Sequence, residues 1–291
     1  MREIELLLCG ILNCNRADLY LNKIFEPVNR KEFYFANLDI FLVKTRLNQW
    51  EPEKILLLQD AIKRRINGEP LQYILGKTEF MGLEFKVAPG VFIPRPETEI
   101  LVEKAIDLLS NQKPVTRNQK ILDIGTGSGC IAVSLAKNLA DVEITAIDIS
   151  SEALEIAIEN ATFNDVDNKI RFVQSDLFTT YDLRPMTYDL IISNPPYIPT
   201  NDIDKLAKEI SFEPRIALDA GTDGLEFYRK IILKAADYLK NGGFLLMEMG
   251  FDQAEAIKDI VRAHRRFEIV EVVLDYSEIE RVIILRKKIH V

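Results

Sequence analysis

The chain has 291 residues, 47% of them apolar and 28% charged, with a net charge of −8. This composition excludes a disordered chain, a collagen-like repeat and a disulfide scaffold, and the length suits one large domain or two ordinary ones. The acidic balance weighs against sequence-independent nucleic-acid binding, which depends on basic side chains neutralising phosphates.

The three cysteines, Cys9, Cys14 and Cys130, are an odd and small set for a chain this long, which points to a reducing cytoplasm. Cys9 and Cys14 lack a second Cys/His pair, and His264 and His290 lie far away, so no metal site is expected. Met1-Arg2-Glu3-Ile4-Glu5 has acidic residues where a leader carries positive charge, and Leu6-Leu7-Leu8 is too short for its apolar core. No uninterrupted apolar run of about 18 residues exists, so no membrane span is expected.

In chain order, residues 1–75 read as helical, with Leu6, Leu19, Phe33, Phe41, Ile55 and Ile62 in stretches of helical spacing and breaks at Pro27 and Pro52. Pro52 suits the first turn of a helix running toward Asn67-Gly68. Residues 1–75 hold 11 basic and 10 acidic side chains; the other 216 residues hold 26 and 35, so the acidity, −9, belongs to the second part. The expected division is a helical domain over 1–70, a hairpin linker over 71–90 and an α/β domain over 91–291. The linker reading rests on Tyr73, Ile74, Phe80, Phe85 and Val87, punctuated by Gly76 and Gly82.

Ile93-Pro94-Arg95-Pro96-Glu97-Thr98-Glu99 follows as an extended lead-in to a helix through Ser110. From Lys120 strands and helices alternate. The strands are 121–124, 143–148, 170–174, 190–193, 243–248, 269–273 and 281–285; the helices are 130–139, 151–163, 225–239 and 252–264. This alternation predicts a mainly parallel sheet covered by helices on both faces. The short connection 275–280 makes the last two strands antiparallel neighbours.

The run Ile121 to Gly129 is a buried strand entering a glycine turn, Gly125-Thr126-Gly127-Ser128-Gly129, before a helix. Glycines let the backbone turn sharply and a ligand approach closely. The next strand ends at Asp148, where a carboxylate can accept from both hydroxyls of a ribose. A pyrophosphate favours GxGxxG. Here the spacing is GxGxG and Asp123 precedes the loop, which suits a ligand bearing a sulfonium and an ammonium, S-adenosylmethionine, rather than NAD. Asp123 can equally brace the loop. Asp176 is placed either for the adenine side of the same ligand or to cap a following turn.

Leu190-Ile191-Ile192-Ser193 runs into Asn194-Pro195-Pro196-Tyr197. Neither proline can continue a ladder, and each holds its predecessor extended, so the string forms a rigid elbow at a strand's C-terminal end. An Asn oxygen, a proline carbonyl and an aromatic ring together suit a planar –NH2 group.

With Glu69 to Gly76, Ile93 to Glu99, Leu122 to Gly129, Ser193 to Ile198, Phe212-Glu213-Pro214-Arg215, Ala217-Leu218 and Glu280-Arg281-Val282, the chain resembles the release factor glutamine methyltransferases of the HemK/PrmC type over nearly its whole length. The resemblance implies a Rossmann-like class I methyltransferase sheet, mostly parallel with an antiparallel last strand, beside a small N-terminal helical domain that docks the substrate. It implies methyl transfer from S-adenosylmethionine, leaving S-adenosylhomocysteine. The acceptor is the amide nitrogen of the glutamine in the Gly-Gly-Gln motif of class-1 peptide-chain release factors. On this reading Asp123, Gly125, Thr126, Gly127, Ser128, Gly129, Asp148, Asp176, Leu177 and Asn194 hold the cofactor. Asn194, Pro195, Pro196 and Tyr197 meet the substrate, with Asn194, Pro195 and Tyr197 acting in catalysis. Family members often carry an aromatic after the third-strand Asp; here Leu177 follows Asp176, with Phe178 as a substitute.

Residues 198–224 make a long loop of the kind that covers sites, with a short helix expected at Asp204–Ile210. Phe212 to Arg215 either orders this loop or touches substrate, and Phe92 lines the pocket or belongs to a core. The rival reading is a DNA or RNA amino-methyltransferase, which shares the elbow because bases also present –NH2. That rival needs a base-recognition module, and the −9 of the catalytic part argues for protein instead.

Overall fold

The computed structural model describes residues 2–12, 51–111, 118–180 and 187–289. It forms two compact units, one of residues 1–76 with 208–212 and the other of residues 77–207 with 213–291.

In the first unit, α1 (Arg2–Leu12) packs on α2 (Pro52–Ile66) and α3 (Leu71–Leu75). Leu7, Leu8, Leu58 and Ile62 are buried, and Arg65 grips Glu3 through hydrogen bonds of 2.9 and 3.1 Å. Pro52 opens α2 where a missing N–H costs nothing, and Asn67-Gly68 ends it. The spacing at Leu19, Phe33 and Phe41 and the break at Pro27 lie outside the described residues. Residues 71–75 are helical, where Tyr73 and Ile74 suggest a strand. The Pro70 carbonyl accepts from Tyr73 and Ile74 N–H, and Gly76 at φ +72° stops the turn, so local capping outweighs β-propensity.

The second unit begins with a hairpin, β1 (Lys77–Phe80) and β2 (Leu83–Lys86), joined by Met81-Gly82 with both φ positive. It is not a linker. Phe80 and Phe85 are fully buried, 6.1 Å apart edge to face, in the same core as Leu101 and Leu135. Asn160 fastens it: its side chain accepts from Lys86 N–H at 2.7 Å and donates to the carbonyls of Lys86 and Ser128 at 3.0 and 2.8 Å. Replacing Asn160 with alanine orphans three backbone groups, one of them fully buried, and is expected to cost about 1–3 kcal/mol. Urea unfolding checks this through a lower midpoint at unchanged slope.

After α4 (Glu97–Ser110) come β3 (Gln119–Ile124), α5 (Cys130–Asn138), β4 (Val142–Asp148), α6 (Ser151–Phe163), β5 (Ile170–Gln174) and β6 (Tyr188–Ser193). These are followed by α7 (Glu226–Tyr238), β7 (Leu239–Glu248), α8 (Ala254–His264), β8 (Phe267–Leu274) and β9 (Glu280–Lys287). The seven strands lie in the order β5-β4-β3-β6-β7-β9-β8, parallel except for β9, which is antiparallel to both its neighbours.

The central strands β3, β6, β7 and β9 are apolar on both faces, as a sheet covered on both sides requires. Ile121, Leu190, Ile192 and Leu246 face one core with α4, α5 and α6, whereas Leu122, Ile191, Leu245 and Met247 face the other with α7 and α8. Val282, Ile283, Ile284 and Leu285 are all buried, which explains why β9 enters between β7 and the half-exposed β8.

The loop after β6 holds three 3-10 turns, Thr200–Lys205, Lys208–Phe212 and Arg215–Ala217, not one helix at 204–210. None of the three buries a side chain, so no apolar face stabilises a longer helix there.

Candidate active site

The strand order reverses between β3 and β6, and a cavity of about 290 Å3 opens at the C-terminal ends of β3, β4, β5 and β6, within the second unit. Such switch points are where open α/β sheets bind ligands. Its walls gather the glycine loop, Asp148, Asp176, Leu177, the 194–197 elbow, and Phe92, Pro94 and Thr98.

In the loop, Gly125 and Gly127 have φ of +72° and +55° with nothing within 4 Å of a built Cβ, so conformation and open space demand glycine there. Gly129 (φ +81°) serves packing as well, since a Cβ would sit 3.0 Å from that of Ala157. Buried Thr126 and Ser128 line the cavity between them.

Asp123 is fully buried. Its Oδ2 accepts from the Thr126 hydroxyl at 2.6 Å, which is loop bracing, while Oδ1 has no partner in hydrogen-bond geometry among the described residues. Burial pushes its carboxyl up to about 7, with Asp148 adding and the Thr126 hydroxyl and Ala132 amide opposing.

Asp148 accepts from Gly127 N–H at 2.8 Å and from Ser150 N–H at 3.0 Å, so the end of β4 is tied to the loop. Burial raises its carboxyl despite those bonds. Asp176 stands exposed at the rim, and it is its carbonyl, not its side chain, that closes the following turn by accepting from Thr179 N–H. Leu177, held at φ +51°, lines the cavity. Phe178 does not substitute for a pocket aromatic: it stacks on Tyr238 at 4.8 Å in the α7 core. The apolar partner of Leu177 at this edge is Ile149, directly after Asp148, which sequence reading missed.

The elbow is pinned at its base by the Ser193 hydroxyl donating to the Ile124 carbonyl at 2.8 Å. Asn194 donates from Nδ2 to Thr98 Oγ1 at 3.0 Å, and Thr98 donates to Glu248 Oε2 at 2.6 Å. Pro195 is buried and Pro196 half-buried. Tyr197 is held through its carbonyl, which accepts from Gln253 Nε2 at 2.8 Å, and burial pushes its phenol up to about 12, so the ring is a neutral wall.

Phe92 lines the cavity under the Arg95 guanidinium, 4.8 Å from the ring centre. Buried Glu213 accepts from Arg95 and from Ile93 N–H, tying the proline-rich lead-in to the loop beyond β6. Glu213 therefore orders this wall, and Arg215 pairs with Asp219 near solvent. Sequence alone gives Thr98, in the lead-in to α4, and Glu248, at the end of a predicted strand, no role at the site. A carboxylate ending an apolar strand beside the elbow's strand, with Met247 opposite Ser193, was the available signal.

Among the described residues no cluster of His, Cys, Asp or Glu could hold a metal, and no helix is long and apolar enough to cross a membrane.

This sheet order, with a glycine loop and an Asn-Pro-Pro-Tyr elbow sharing one cavity, defines a Rossmann-like methyltransferase. Residues 82–221 match the methyltransferase small domain family and residues 41–76 the PrmC N-terminal domain. The chain is 40% identical to the release factor glutamine methyltransferase of Thermodesulfovibrio yellowstonii over 92% of this chain and 98% of that one. It is 42% identical to that of Fusobacterium nucleatum, over 94% and 78%. A solved methyltransferase from Pyrococcus furiosus shares the fold, with TM-score 0.52 and 18% identity over 79% of this chain and 99% of that one. This chain belongs to the release factor glutamine methyltransferase family.

Proposed function

We propose that this protein transfers a methyl group from S-adenosylmethionine to the side-chain amide nitrogen of a glutamine, that of the Gly-Gly-Gln motif in class-1 peptide-chain release factors. The observation that carries this reading is the elbow Asn194-Pro195 sharing a cavity with the glycine loop. The substrate places the enzyme in the cytoplasm.

The residues present fit S-adenosylmethionine. Asp123 does not itself line the cavity, but its neighbours Ile124 and Gly125 do, and its buried Oδ1, which lacks a partner in hydrogen-bond geometry among the described residues, is the acceptor matched to the ligand's cationic end. Asp148 takes the ribose hydroxyls, Ile149 and Leu177 supply apolar surface for the adenine, and Asp176 takes its amino group. When bound, the cofactor supplies a methyl group activated on a sulfonium.

A glutamine amide is a poor nucleophile because its lone pair is delocalised into the carbonyl. Asn194 Oδ1 and the Pro195 carbonyl accept the two N–H bonds of the amide and favour a more pyramidal nitrogen, while Tyr197 packs on its plane. No histidine lines the cavity among the described residues, so positioning and polarisation replace a strong base. Correct placement alone can supply about 7–11 kcal/mol of the barrier. Both acceptors act most on charge that develops in the transition state.

The test uses labelled S-adenosylmethionine with three acceptors: a release factor, its Gly-Gly-Gln glutamine→alanine variant, and DNA. Label is expected on the first alone. Label on DNA but not on the factor overturns the assignment.

A further inference from the structure

An asparagine carboxamide has two ends of nearly equal shape, and only its oxygen accepts hydrogen bonds. The acceptor elbow therefore works only if Oδ1, not Nδ2, faces the incoming –NH2. Two buried residues behind Asn194 decide this. Thr98 is 2% exposed and Glu248 1%. The Thr98 hydroxyl has one hydrogen, and it is spent on Glu248 Oε2 at 2.6 Å. Toward Asn194 it can only accept, and its partner is Nδ2 at 3.0 Å. The donors thus run one way, from Asn194 through Thr98, and from Asn194 directly, to a carboxylate that, when ionised, only accepts.

We propose that Thr98 and Glu248 are positioning residues that fix the orientation of the Asn194 carboxamide, presenting Oδ1 to the substrate amide. This rests on the acceptor role proposed above for Asn194. The device has a built-in condition. If Glu248 carries a proton it can donate to Thr98, whose own hydrogen is then free for Asn194 Oδ1, and Nδ2 turns to the cavity as a donor facing a donor.

Burial pushes the Glu248 carboxyl up to about 7, with Glu97 adding and Thr98, Arg281 and Asn194 opposing. The other groups that sense it are the phenols of Tyr197 and Tyr228 and the Cys130 thiol, all raised by burial and neutral. Tyr228 donates to the Glu248 main-chain carbonyl at 3.0 Å and leaves the carboxylate to Thr98 and the Asn194 amide.

The full chain is tested as Thr98→Val, Thr98→Ser and Glu248→Gln. Thr98→Val is expected to lower kcat about tenfold to a hundredfold, the usual scale for removing a partner that orients a working ligand. KM for the release factor and cofactor affinity should stay within about twofold, the signature of an interaction realised in the transition state. Thr98→Ser restores most of kcat. Wild-type kcat falls on the acid side of about pH 7 as Glu248 gains its proton, and Glu248→Gln loses that inflection.

A second readout needs no activity: nitrogen-15 NMR of the Asn194 side-chain amide in the substrate-free protein. Its protons should exchange slowly with solvent in the wild type and rapidly in Thr98→Val. Unchanged kcat in folded Thr98→Val, a serine variant as poor as the valine one, or equal amide exchange in wild type and Thr98→Val overturns the proposal. If the wild type methylates no release factor, the functional reading fails, and the exchange experiment still decides the orientation by itself.

Discussion

Replacing Asn194 with alanine is expected to lower the rate of methyl transfer by about a hundredfold to a thousandfold, the cost of removing one preorganised polar partner of a developing charge. As the amide nitrogen is alkylated its N–H bonds become more acidic, so an acceptor gains strength along the reaction and helps the transition state more than the ground state. Cofactor affinity should change little, because the glycine loop, Asp123 and Asp148 are held by their own contacts. The fold should survive as well. Ser193 still pins β6 to β3, and Thr98 keeps its bond to Glu248. Single-turnover kinetics beside calorimetry separates the two quantities. Equal losses in both would show that Asn194 serves cofactor binding and not the acceptor.

Cofactor binding is expected to tighten with rising pH and level off above about 7, and Asp123→Asn should remove the Asp123 share of that dependence, leaving only the weaker contribution of Asp148. In the free protein Asp123 titrates at about 7 because burial disfavours its charge. A cationic ligand favours the ionised form, so below pH 7 binding must release a proton. Affinity then rises by at most about tenfold per pH unit and becomes flat once the carboxylate is already charged. Asp148, whose carboxyl burial also raises, acts with the same sign. At pH 8 the asparagine variant loses a charge-assisted hydrogen bond worth about 1.5–3 kcal/mol, or roughly tenfold to a hundredfold in affinity. At pH 6 the gap narrows, because the wild-type carboxyl is itself mostly neutral. Calorimetry across this range, in buffers of different ionisation enthalpy, reads both the affinity and the proton released. A wild-type affinity that does not change with pH would rule out Asp123 as the partner of the cation.

Much of this architecture is legible along the chain because its causes are local. Apolar runs of four to six residues specify buried parallel strands, and α6 and β5 fall where their periodicity puts them. The glycine loop is readable because its positive φ values exclude other residues. The elbow is readable because two prolines restrict three consecutive residues. The net charge of −9 carried by residues 76–291 favours a protein glutamine over a nucleic-acid base, although both present the same –NH2.

Only the tertiary structure decided the rest. Leu71–Leu75 became a helix because of the caps at Pro70 and Gly76, and the hairpin joined the second core because Phe80 and Phe85 meet Leu101 there. The insertion of β9 between β7 and β8 follows from which strand is buried on both faces, a comparison no single segment contains. Behind the elbow, Asn194 and Thr98 are 96 residues apart, and Thr98 and Glu248 are 150. Arg95 and Glu213 are separated by 118. Spacing cannot reveal such pairs, because sheet order and helix packing bring them together and local sequence patterns do not encode either. By itself the sequence determined the loop and the elbow that define the chemistry; the fold decided which buried groups hold the elbow's single asparagine the right way round.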